Sequence, residues 1–292
     1  MKRISKKKIM SEKASSTIID CAGIIDSHAH YFDKKFETES GGADYVLSND
    51  VFGRGIAAVI NVGTRNETNL LAISQAARYD NMFAAVGIHP EDIQMPEVDI
   101  DTELAALTSL LQDTYKRKKN KIVALGEIGL DYHWQPVDRP LQQKCFDAQM
   151  ELADKTGLPV IIHDREAHGD CFETVLRYPN VRGVFHSYSG SADMARELCR
   201  RGWYISFSGV LTFKNARKVC EVAQAVPHDR ILIETDAPYL SPVPYRGHIN
   251  HSGRLCHTAQ ALSELLKISY EDTVALTAEN TKMLFGIANV SP

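Results

Sequence analysis

Leu158-Pro159-Val160-Ile161-Ile162-His163-Asp164-Arg165 is an apolar run without alternation that stops on a histidine. A strand apolar at successive positions is covered on both faces, as in a parallel sheet under helices, and its polar end marks a rim. Working outward from this stretch, the same pattern recurs. Gly23-Ile24-Ile25-Asp26-Ser27-His28-Ala29-His30 closes on two histidines, and Ile122-Val123-Ala124-Leu125-Gly126-Glu127 closes on a glutamate. Gly183-Val184-Phe185-His186 ends on a histidine, and Ile231-Leu232-Ile233-Glu234-Thr235-Asp236 ends on an aspartate. Four histidines and two carboxylates at the tails of apolar runs suggest a metal site assembled from dispersed strands.

Eight such runs are present, at 23–26, 57–62, 83–88, 122–127, 159–163, 183–186, 203–207 and 231–235. Helical patterns lie between them at 67–79, 101–119, 141–156, 166–177, 192–201 and 215–225, and two more, at 257–266 and 270–285, close the chain. The segment between the first two runs reads as loop and a helix ending near Gly53. Eight β/α alternations in one chain predict a single-domain α/β fold, a TIM (β/α)8 barrel over 23–288, better than a doubly wound sheet.

Composition agrees with that frame. The chain has 292 residues, 44% of them hydrophobic, enough for one large core. A formal net charge of −4 disfavours a dedicated nucleic-acid coat but leaves room for local phosphate contacts. Residues 1–22 read as a basic tail carrying Lys2, Arg3, Lys6, Lys7, Lys8 and Lys13, with no apolar segment of the secretory kind behind them. No apolar run is long enough to span a membrane, and the six cysteines form no CxxC pair, which suits free thiols in a reducing, cytoplasmic setting. No obligate protein partner is evident.

In a (β/α)8 barrel the C-terminal strand ends meet at one mouth. His28 and His30, at i and i+2, share a strand face. They are expected to hold one metal and His163 with His186 a second, while the two oxygens of Glu127 bridge and Asp236 completes the first site beside its water. Imidazoles with carboxylates accept Zn, Mn, Fe, Ni or Mg alike. Glu234 shares the face of Asp236 and serves either an additional metal or as a hydrogen-bond acceptor. Any one of these histidines alone reads more readily as a satisfied rim residue; six coincidences reverse that. His89, ending Val86-Gly87-Ile88-His89-Pro90, divides evenly between substrate contact and a structural role.

The set DSHAH, VGIHP, GEIGLDYH, PVIIHDR, FHSYSG, ETDAPYL and PYRG, closed by ENTKMLF, resembles the TatD-type metal-dependent deoxyribonucleases of the amidohydrolase superfamily over roughly residues 24–286. The resemblance implies a TIM barrel with two or three divalent cations that hydrolyses DNA, as a 3′ to 5′ exonuclease on single or frayed strands. Its metal ligands fall on His28, His30, Glu127, His163, His186 and Asp236, joined by Glu234 where a third metal is held. Two motifs depart from the family pattern. His186-Ser187-Tyr188-Ser189-Gly190 stands where HCFSG is usual, and Arg246-Gly247-His248-Ile249-Asn250-His251 stands where RGKRNEP begins. The second departure removes a Lys-Arg pair from a mouth loop.

The expected chemistry is attack by a metal-bridging hydroxide, with Asp236 orienting the water and taking its proton and Glu127 bridging. Arg165 and Arg246 are candidates to clamp phosphate oxygens, or equally to form rim ion pairs. Tyr132, Trp134 and Tyr239 fall near the mouth, where rim packing is the more ordinary role than base stacking. The alternative activity is that of a related metallohydrolase acting on a non-nucleic-acid ester, lactone, amide or phosphotriester. A noncatalytic metal binder conflicts with the apparently full ligand set, and a sugar-phosphate barrel enzyme lacks its Gly-rich loop.

Overall fold

The computed structural model describes residues 19–38, 41–287 and 290. The cations of the expected basic tail, from Lys2 to Lys13, lie outside the described residues. Eight strands follow one another: β1 Ile25–Ala29, β2 Ala58–Val62, β3 Met82–Val86, β4 Ile122–Asp131, β5 Val160–Arg165, β6 Gly183–Phe185, β7 Tyr204–Phe207 and β8 Ile231–Ile233. Each pairs in parallel with the next. Beyond β8 the ring closes on β1, where the His30 N–H donates to Ala237 O at 2.7 Å and the Asp236 N–H to His28 O at 2.9 Å. The expected TIM barrel is therefore the fold.

The helices are α1 Gly42–Tyr45, α2 Asn66–Ala76, α3 Ile100–Gln112, α4 Thr114–Lys119, α5 Arg139–Thr156, α6 His168–Arg177, α7 Ala192–Arg200, α8 Arg217–Ala225, α9 Leu255–Leu266 and α10 Tyr270–Phe285. Among the described residues none is long and apolar enough to cross a membrane. The helix expected over 101–119 is two. Asp113 leaves the helical region and its carboxylate accepts the Tyr115 and Lys116 N–H groups at 2.9 and 3.0 Å, so it caps α4 instead of continuing α3.

Successive strand residues point to opposite faces, which divides the core in two. Val59, Val160, Ile162, Ile231 and Ile233 pack outward beneath the helices. Ile60, Ala85, Ala124, Ile161, Val184 and Leu232 fill the barrel, together with Phe285 and Ile287 from the chain's end. Both faces of each strand are thus apolar, which is why the sequence runs lack alternation.

Three strands outlast their expected ends, β5 by reaching Arg165 and two others with a change of register. β1 continues to Ala29 and β4 to Asp131, and both lose register, between Asp26 and Ala29 and between Leu125 and Ile128. Such an irregularity re-aims a side chain, and the two breaks flank His28 and Glu127. Past the β4 break, Gly129 pairs with His163 at φ 141, and a Cβ there would lie 2.0 Å from His163 O. No L side chain tolerates either condition.

Three side-chain carboxamides finish the mouth where strand pairing runs out. Asn69 of α2 brackets the N–H and C=O of Gly87 at 3.1 and 3.0 Å, Gln149 of α5 brackets those of Ile88 at 2.8 and 3.0 Å, and Gln142 brackets those of Asp131 at 2.8 Å each. Each amide replaces a missing strand partner and so removes the cost of a buried unpaired peptide.

Gly129→Ala is expected to destabilise the fold by about 2–4 kcal/mol, from backbone strain plus overpacking, and to displace His163. Chemical denaturation checks it; a variant as stable as the wild type would show that β4 and β5 have room that the geometry denies.

Candidate metal centre

The β1 break brings the paired histidines together: His28 Nε2 and His30 Nε2 are 3.0 Å apart. His30 turns its other nitrogen, Nδ1, to Val62 O at 2.6 Å, which fixes the ring. From β4, Glu127 reaches both sides of the mouth. Its Oε2 lies 3.4 Å from His28 Nε2 and 3.6 Å from His30 Nε2. Its Oε1 lies 2.6 Å from His163 Nδ1 and 2.7 Å from His186 Nε2. Asp236 follows β8 in the left-handed region at φ 57, which an Asp accepts more readily than most residues, and its Oδ1 stands 3.4 Å from His30 Nε2. The six residues expected as ligands converge.

Behind them stands a layer of supports. His163 Nε2 meets Asp131 Oδ2 at 2.8 Å, while Asp131 Oδ1 accepts the N–H groups of His133 at 2.9 Å and Trp134 at 3.3 Å. His186 Nδ1 faces Glu234 Oε1 at 3.3 Å, and the Ser206 hydroxyl donates to Glu234 Oε2 at 2.6 Å. Glu234 thus stands at hydrogen-bond distance from His186, and His28, His186 and Glu234 also lie close enough together to hold an ion. Asp131 escaped the sequence reading. Its signal was available: it lies an even number of residues after Glu127 in an apolar stretch, four positions along.

The charges follow from this packing. Burial pushes the Glu127 carboxyl up, yet the imidazoles of His186, His89 and His28 and the hydrogen bond from His163 outweigh it and hold it well below the usual range. Burial disfavours the charged form of His163, but its bonds to Asp131 and Glu127 push it up to about 9. Burial also raises Asp131, and the His163 contact overrides it to about 2. For Asp236 the contact with His30 and the charges of His28 and His186 overcome burial and lower it. The same imidazole and carboxylate atoms that share protons here are those that bind divalent cations, and several triads of them, including His28–His30–Glu127 and His89–Glu127–His163, lie close enough to hold an ion. The donor set fits.

These residues open into a cleft of about 550 Å³. His89 lines it, with Nε2 3.5 Å from Glu127 Oε1, so it stands at the centre and not behind it. Arg165 lines the rim, exposed, and makes no ion pair among the described residues. The Arg246 guanidinium lies 3.7 Å over the Phe213 ring, and neither residue is among those that line the cleft. Tyr132 is also outside the lining, with Arg139 stacked 4.1 Å over its ring.

Residues 25–286 match the family profile described as TatD related DNase. The chain is 36% identical over 270 residues to an uncharacterized metal-dependent hydrolase, YabD, of Bacillus subtilis, covering 90% of this chain and 99% of that protein. A second such hydrolase, YcfH of Escherichia coli, is 32% identical over 268 residues, covering 90% and 96%. Among solved structures, the TatD homolog YJJV of Escherichia coli superposes with a TM-score of 0.81 at 29% identity, covering 91% of this chain and 99% of that one.

Asp131→Asn is expected to weaken divalent-cation affinity by about 10–100-fold, because an amide cannot accept from His163 and from the two peptide N–H groups together. Competition against a chromophoric chelator measures this, and unchanged affinity would remove Asp131 from the support of the centre.

Proposed function

The chain belongs to the TatD family of metal-dependent hydrolases, and from that premise we propose that it cleaves DNA phosphodiester bonds as a 3′ to 5′ exonuclease on single or frayed strands. The observation that carries the reading is the division of Glu127, one carboxylate oxygen serving His28 and His30 and the other His163 and His186. A donor set paired this way suits two divalent cations that share a carboxylate. Bound there, such cations lower the pKa of a water from about 15.7 toward about 7 and offset charge on the attacking and leaving oxygens.

The remaining work falls to side chains. Asp236, kept ionised by His30 and its neighbours, orients the attacking water and accepts its proton at a carboxylate oxygen. Arg165, without a carboxylate partner among the described residues, offers its planar fork to the non-bridging phosphate oxygens. A cleft of about 550 Å³ has the size of a small-molecule pocket, which supports a strand end as substrate over the middle of a duplex. The 3′ to 5′ sense rests on the family resemblance.

One observation favours a second reading. Asp33, Glu91 and Asp92 line the same cleft and repel phosphates, which suits a less charged ester, lactone, amide or phosphotriester. Assaying metal-loaded protein on single-stranded oligonucleotides beside a panel of those compounds separates the two: DNA hydrolysis supports the first, and efficient turnover of a carbonyl substrate with DNA untouched overturns it.

Chelation is expected to abolish hydrolysis and lower the melting temperature, since ions bound only by the folded chain stabilise it by mass action. His163→Ala or His186→Ala is expected to abolish activity while far-UV circular dichroism stays that of the barrel; near wild-type turnover in either would sink the ligand assignment. Asp236→Asn is expected to lower kcat by about 10²-fold. An unchanged kcat and pH profile would take Asp236 out of water activation.

A further inference from the structure

Trp134 stands at the cleft rim with 59% of its surface exposed, an unusual place for so large an apolar ring. Its position is nonetheless fixed. The backbone N–H of Trp134 donates to Asp131 Oδ1, whose other oxygen holds His163, so one carboxylate ties the indole to the metal centre. The ring packs edge-on against His133, centroids 4.7 Å apart at 86°, and His133 is held in turn by Glu166 at 2.8 Å. A T-shaped contact covers at most one face of the indole, and with 59% of the residue exposed the ring remains largely open to solvent.

The other aromatic residues of the lining are already engaged. Lys35 Nζ lies 3.8 Å over the Tyr239 ring, whose hydroxyl donates to Asp33 at 2.7 Å. Phe32 packs at 75° against His30, 5.8 Å between centroids. Among the described residues Arg165 lines the cleft without an ion pair, and its strand partner Asp131 is the residue that accepts the Trp134 N–H. Arg165 pairs with Asp131 across β4 and β5 and accepts the Tyr132 N–H at 2.9 Å. A cation for phosphate and a bare aromatic face therefore occupy the same edge of the mouth, while Asp33, Glu91 and Asp92 also line the cleft.

We propose that Trp134 is the nucleobase platform of this site: an unpaired base of the substrate strand stacks on the indole while Arg165 holds a phosphate beside it. The proposal rests on the phosphodiesterase reading and adds what selects the substrate. Stacking tolerates any base, because every base has a π face, but it demands that the base be unpaired. The carboxylates elsewhere in the lining limit further phosphate contacts, so the footprint is short and the salt dependence shallow.

The test uses the full metal-loaded chain and two oligodeoxynucleotides, one unmodified and one with abasic residues at its 3′ end. Trp134→Ala is expected to raise KM for the unmodified strand on the order of 10-fold and to leave KM for the abasic strand far less changed, with Trp134→Phe restoring most of the loss. Tryptophan emission supplies a readout apart from turnover. The chain has two tryptophans and Trp203 is buried, so a phosphorothioate oligonucleotide is expected to quench the wild type and not Trp134→Ala. Wild-type protein that ignores the unmodified strand overturns the phosphodiesterase reading, and the platform with it. Wild-type protein that cleaves it, with Trp134→Ala showing the same KM and the same quenching, overturns the platform alone.

Discussion

A carboxylate buried at the centre of the barrel mouth is the constraint on which this structure turns. Glu127 is 3% exposed, and removing a charged carboxylate from water costs several kcal/mol unless its oxygens are matched. Here each oxygen has a pair of imidazoles, so the charge is compensated from both sides of the mouth. The imidazoles need the carboxylate as much. Four rings crowd together, with His28 stacked 4.3 Å from His186, and an anion or divalent cations among them match nitrogens that would otherwise face one another.

The barrel supplies geometry that a regular sheet would not. Register breaks in β1 and β4 turn His28 and Glu127 inward, Gly129 allows β4 to press against His163, and carboxamides on α2 and α5 seal the strand ends. A second tier of carboxylates then fixes the rings. Asp131 holds His163, and Glu234, itself held by Ser206, faces His186, so a proton or a cation meets an imidazole already aimed. The same Asp131 accepts the Trp134 N–H, which ties the bend after β4 at the cleft rim to the His163 ring.

Much of this was legible in the sequence because parallel strands covered on both faces leave uninterrupted apolar runs. All eight strands and the candidate ligands at the tails of their apolar runs were read from that signal, and the convergence of His28 with His30 from their spacing. The support layer was not. Gln142, Gln149 and Asn69 lie on helices and acquire meaning only when a strand end comes to rest against them. Asp113 was lost in a helical pattern because an N-cap inside a long periodic stretch looks like one more polar residue. The stacking of Arg246 on Phe213 was equally out of reach, because a loop has no periodicity from which a side chain's direction can be read.

The central claim, that Glu127 joins two cation sites, is tested most directly by counting metal. Elemental analysis of the chain, loaded and then freed of excess ion, is expected to find about two divalent ions per wild-type molecule and a loss at both sites in Glu127→Ala. A Glu127→Ala protein that stays folded and keeps the full wild-type complement of metal would contradict the account.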